Sequence, residues 1–123
     1  APGVAEKIEA FVAAGGTAVF TYFCGIVDEH DRVHLGGYPA PFRKLLGLAV
    51  EEWAVPSGHL PPNALIATPA GASLGLAARY PATFWAEVVR PEGCEVLAVF
   101  ADDFFAGRPA VTRHAFGRGR AYY

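Results

Sequence analysis

The chain contains no methionine and only two cysteines, Cys24 and Cys94. So few cysteines exclude a disulfide-dense scaffold. Both lie in apolar, strand-like surroundings, so they are expected as buried free thiols, which favours a cytoplasmic location. No apolar run approaches the ~20 residues that a membrane-spanning helix requires. No basic stripe exists either. Ten Lys and Arg stand against twelve Asp and Glu, a net charge of -2, so nothing attracts a nucleic-acid backbone. No basic segment followed by an apolar one opens the sequence, so no secretory signal is expected. Repeats, low-complexity tracts and linkers are absent. The opening Ala1-Pro2-Gly3 lacks an initiator methionine, so the chain is expected to be a piece of a longer polypeptide.

What is present is a globular composition. The chain is 53% hydrophobic and 18% charged, the reverse of the balance that keeps chains disordered. Its 123 residues suit one domain, 1–123, that buries roughly two-thirds of its unfolded surface. Val4, Ile8, Phe11 and Val12 recur at helical spacing, and Gly15-Gly16 supplies the left-handed stop common past a helix end. Thr17 to Phe23 is β-branched and aromatic on both faces, the pattern of a strand central in a covered sheet. A Gly-rich polar loop follows, then Pro41 opens a short helix, Phe42 to Leu46, ended by Gly47. Leu48 to Val50 reads as a brief strand, Pro56 to Pro62 as turns, and Asn63 to Thr68 as another short strand. The stretch from Pro69 to Pro81 reads as mostly irregular.

The C-terminal part is clearer. Strands are predicted over Ala82 to Val89, Cys94 to Ala101, Ala110 to Ala115 and Arg120 to Tyr123. Turn chemistry separates them at Pro91-Glu92-Gly93, Asp102 to Pro109 and Gly117-Arg118-Gly119. The last turn is short enough to make an antiparallel hairpin. The predicted class is α/β: a partly parallel sheet that finishes in an antiparallel ribbon.

Candidate chemistry is sparse. Cys24 follows a strand, where a nucleophile could sit, but it lacks the Gly-x-nucleophile-x-Gly elbow, and a small buried hydrophobe is the expected role. Asp28, Glu29, His30, Asp31 and His34 form the densest group of potential metal ligands, although glycines and the charge run suggest a loop that bonds its own backbone. The doublets Glu51-Glu52 and Asp102-Asp103 do not suit paired carboxylate catalysis, because neighbouring side chains diverge. No phosphate-binding glycine pattern follows a strand. Trp53, Phe84, Trp85, Phe104 and Phe105 are expected in the core or, where exposed, at a subunit contact. The residues support a compact domain with no assembled active site and no cofactor or metal.

Two blocks carry a resemblance. In Phe11 to Tyr38 the residues Gly15, Gly16, Thr17, Thr21, Tyr22, Gly25, Val27, Asp28, Glu29, Asp31, Arg32, Gly36, Gly37 and Tyr38, followed by Pro39, Leu45, Leu46, Gly47 and Glu51-Glu52, match a family pattern. In Gly93 to Tyr123 the matching residues include Glu95, Val96, Leu97, Asp103, Phe104, Gly107, Val111, Thr112, Phe116, Gly117, Gly119 and Tyr122. Together they resemble the middle domain of family 42 glycoside hydrolases, which are β-galactosidases. The resemblance implies a fold like class I glutamine amidotransferases (flavodoxin-like): a mostly parallel sheet with a C-terminal antiparallel ribbon, helices on its faces, and a truncated N-terminal side. It implies a non-catalytic role in building a homotrimer, with β-galactosides bound and cleaved, with retention, in a separate (β/α)8 barrel. No catalytic residue carries over. Where the family usually has Ser before Gly25, this chain has Cys24.

A sheet truncated on one side should expose an edge that pairs with another chain. A loop containing Asp28, Glu29, Asp31, Arg32 and Tyr38 is expected at the carboxyl edge of the sheet, as a subunit contact. Two rival readings remain at this level. One is a small Cys-dependent amidotransferase or hydrolase with Cys24 as nucleophile and His30 or His114 as base. The other is a carbohydrate-binding module built on exposed aromatics.

Overall fold

The computed structural model describes residues 3–54 and 62–123, so the predicted turns at 56–61 fall outside the described residues. Helix α1 (Val4–Ala13) turns its Val12 fully inward, with Ile8 packed one turn away. It stops at Gly15, whose φ of 116° is costly for any residue bearing a Cβ. The chain continues as β1 (Thr17–Val19), α2 (Arg43–Leu46), β2 (Leu48–Ala54), β3 (Asn63–Ala67), α3 (Pro69–Ser73), β4 (Arg79–Ala82), β5 (Ala86–Pro91), β6 (Glu95–Phe100), β7 (Pro109–Phe116) and β8 (Gly119–Tyr122).

The strands form a six-stranded sheet, β1-β8-β7-β6-β3-β4, and a two-stranded ribbon, β2-β5. Only β1 and β8 run parallel; every other pairing among the described residues is antiparallel. The flavodoxin-like, mostly parallel sheet with helices on its faces is therefore wrong. The molecule is mostly β. A parallel sheet needs a long crossover, usually a helix, between successive strands. Here α2 has four residues and α3 five, too short for that role, and α1 precedes β1 instead of joining two strands. The expected antiparallel C-terminal ribbon is present: β7 and β8 pair through the tight turn at Gly117-Arg118.

Other expectations shift for local reasons. The first strand ends at Val19, and β1 occupies an edge of the sheet instead of its centre. Val19 is 74% exposed, so its apolar character marks an uncovered surface. The predicted strand Ala82 to Val89 breaks at Thr83–Trp85, and its halves join different sheets as β4 and β5. The supposedly irregular stretch contains α3, which starts where the Thr68 hydroxyl accepts the Gly71 amide (3.2 Å) and Pro69 takes the first turn. Strand β2 runs four residues further than predicted, to Ala54.

Two apolar clusters hold these parts together. One gathers Val12, Leu45, Leu46, Leu48, Val50, Val89 and Ala121 beneath α1 and α2. The second joins Ala86, Val88, Phe100 and Phe105 between ribbon and sheet. Packing is tight where α1 meets the final hairpin: a Cβ on Gly119 would lie 2.1 Å from the Val12 carbonyl and 2.2 Å from that of Gly16. Only glycine fits there.

Candidate functional site

The loop after β1 folds on itself. Val27 and Val33 form an antiparallel bridge, His34 donates its amide to Ile26 (3.0 Å), and Asp31 takes a left-handed conformation at the tip (φ 58°). The Asp28 carboxylate accepts the amides of His30 (2.7 Å) and Arg32 (3.0 Å). Those amide bonds, Arg32 first, hold the Asp28 carboxyl below the usual carboxylate range. Asp28 thus braces the loop, as expected of residues that bond their own backbone. Glu29 and His30 face each other at 3.9 Å on the surface. Among the described residues, no three of His, Cys, Asp and Glu converge into a metal-holding group.

Asp28, Glu29, Asp31 and Arg32 share this braced unit, and Leu35 beyond it is 94% exposed. Tyr38 turns inward instead. It bridges to Val50 and meets the Trp53 ring edge-on at 4.9 Å, so it anchors the loop to β2. Glu51 sits at a β-bulge and pairs with Arg90 (2.9 Å) and Arg108 (2.5 Å). Asp102 lies 3.9 Å from Arg79, and Asp103 accepts the amide of Phe104.

Cys24 has none of the surroundings of a nucleophile. It is half-buried and unpaired, as is Cys94. Burial, then the nearby Glu87 carboxylate, pushes the Cys24 thiol up to about 11, so it stays protonated at neutral pH. No hydrogen bond links Cys24 to an imidazole among the described residues: His114 instead contacts the Leu45 carbonyl through Nδ1 (2.9 Å).

A groove of about 670 Å³ is walled by Val19, Tyr22, Phe84, Trp85, Phe100 and Tyr122. The aromatic rings around it interlock: Tyr22 contacts Phe23 and Phe84, and Phe23 packs against Trp53 and Trp85. Phe84 is 63% exposed, whereas Phe105 belongs to the core. The expectation about aromatics therefore divides, with Phe105 inside and Phe84 and Phe104 outside.

At the groove sits a residue that sequence reasoning missed. Glu87, on β5, is 8% exposed and accepts hydrogen bonds from the Phe23 amide (3.1 Å), the Trp53 indole (2.8 Å) and the Tyr123 hydroxyl. Its only signal was one acid inside the apolar run Ala86-Glu87-Val88-Val89. Burial and the Glu87 contact also push the Tyr123 hydroxyl well above the usual tyrosine range.

Known proteins resemble the chain closely. β-Galactosidase BglY of Alicyclobacillus acidocaldarius is 47% identical over 123 residues, 99% of this chain and 17% of that one. β-Galactosidase bgaB of Geobacillus kaustophilus is 46% identical over 121 residues, 98% and 17% respectively. The chain thus spans about a sixth of the length of these relatives. Among solved structures, the β-galactosidase from Rahnella sp. R3 superposes with a TM-score of 0.93 at 44% identity, covering 99% of this chain and 18% of that one. The β-galactosidase from Bacillus circulans sp. alkalophilus gives 0.90 at 40% identity over the same shares. The model of the beta-galactosidase trimerisation domain matches residues 1–123, and the chain belongs to that family.

Proposed function

We propose that this domain joins three copies of a β-galactosidase and takes no part in bond cleavage. Terminal β-D-galactosides would be hydrolysed, with retention, in a separate (β/α)8 barrel of the same polypeptide. One observation carries the reading: an uncovered apolar surface, Val19, Tyr22, Phe23 and Phe84, surrounds the groove while the neighbouring thiol is left protonated. Aromatic-rich exposed patches of this kind favour protein–protein contact. The braced loop with Asp28, Glu29, Asp31 and Arg32 is a second contact in this reading, presenting Leu35, with Tyr38 as its anchor. Two unpaired cysteines support a cytoplasmic setting.

The test is sedimentation of the full-length protein that carries this domain, beside its Asp28→Ala/Asp31→Ala and Leu35→Glu variants. A trimer is expected for the unaltered protein, with weaker assembly or altered activity in the variants. A monomer that is fully active would sink the assembly reading. Unchanged variants would remove the loop from it. Galactose titration of a barrel-inactivated protein should leave the groove's hydrogen exchange unaltered.

A further inference from the structure

We propose that Glu87 is the positioning residue of the aromatic assembly surface. Its carboxylate ties together three segments distant in sequence. The Phe23 amide lies 64 residues away, the Trp53 indole 34 and the Tyr123 hydroxyl 36. Each tie fixes a different part of the groove. The Phe23 bond sets the turn after β1, where Phe23 itself takes a left-handed conformation (φ 61°) that is unusual for a bulky residue. That turn carries Tyr22, and Tyr22 meets Phe84 at 5.9 Å. The indole bond orients Trp53, which stands between Phe23 and Tyr38. The Tyr123 bond holds the end of β8, the strand on which β1 lies.

A strained turn persists only where its surroundings over-determine it, and here a buried acceptor does so. No buried side-chain polar atom lacks a partner among the described residues, so the hub is fully satisfied. An apolar residue of similar size at position 87 would leave an amide, an indole N–H and a hydroxyl without their acceptor. The turn would relax and the aromatic wall would lose its shape. The inference rests on the assembly reading for its consequence, but not for its geometry.

The experiment therefore has two readouts on the full-length protein. Hydrogen exchange of the peptide covering Tyr22 to Gly25 reports the turn; sedimentation reports assembly. Glu87→Leu should speed exchange there by about tenfold or more and raise the trimer dissociation constant by a similar factor, the equivalent of losing one to two hydrogen bonds. Glu87→Gln keeps an acceptor for both N–H groups and a polar partner for Tyr123, so it should stay within about threefold of the unaltered protein. Leu97→Ala, a buried change outside the groove, is the control for general destabilisation. Equal exchange in Glu87→Leu and the unaltered protein would overturn the inference, as would Leu97→Ala loosening the turn as much. If exchange responds as expected but the unaltered protein is a monomer, the assembly reading fails and the positioning role stands.

Discussion

Two glutamates on one ribbon meet opposite fates. Glu87 on β5 pairs across the ribbon with Trp53 and turns inward, where its partners are uncharged donors. Glu51, displaced by the β2 bulge, turns outward onto Arg90 and Arg108. The outward pairs extend further, since Arg90 also reaches Glu92 at 3.0 Å and Glu92 clasps Arg43 at 2.6 Å. That outward chain contains more ions, yet it should contribute less. Water replaces a lost partner on the surface, whereas a buried donor that loses its acceptor bears the full desolvation cost. The number of bonds matters less than what takes their place.

The comparison can be tested from its strongest end. Glu87→Leu should destabilise the domain by roughly 3 kcal/mol, since each of three part-buried donors loses its acceptor at about 1 kcal/mol. Urea unfolding followed by hydrogen exchange within β5 measures this, and a loss no greater than that of Glu51→Gln would erase the distinction. Tyr123→Phe removes one of the three donors and leaves the other two, so about 1 kcal/mol is expected by the same method.

Alkali should act on the same region. The Cys24 thiol titrates near 9 when unfolded and near 11 when folded. Between those values the unfolded chain has released its proton and the native chain has not, so stability is intact below pH 9 and declines as pH rises through 11. Tyr123 shifts in the same direction and adds to the decline. Cys24→Ala should flatten part of that slope in unfolding curves. Iodoacetamide should label Cys24 sluggishly at neutral pH and faster toward pH 11, whereas rapid stoichiometric labelling at pH 7 would revive a catalytic thiol. The smallest effect belongs to Glu51→Gln: a slight fall in melting temperature at low salt that vanishes near ~1 M, where screening reduces exposed pairs.

Much of the local structure was legible. The helix over Val4–Ala13, the stop at Gly15 and the hairpin turn at Gly117 follow from apolar spacing and from glycine where the backbone turns left-handed. The absence of an activated thiol was legible too, because Cys24 lacks the flanking small residues of a nucleophile elbow. The start of α3 was readable but passed over, since Thr68-Pro69 is a capping signature. Strand pairing was not readable. An apolar stretch such as Thr17 to Phe23 looks the same whether neighbours cover it or it lies open at an edge, and the break at Thr83–Trp85 has no local marker that separates two sheets.

By itself the sequence determined where the chain turns, which residues seek burial, and the family to which their pattern belongs. Those properties depend on neighbours a few positions away. Tertiary structure alone decided that β1 lies beside β8 at an edge, that the sheet is chiefly antiparallel, and that Glu87 receives three donors. The β1–β8 pairing and the Glu87 bonds join residues 34 or more positions apart, and only the closure of the whole fold sets which distant segments meet.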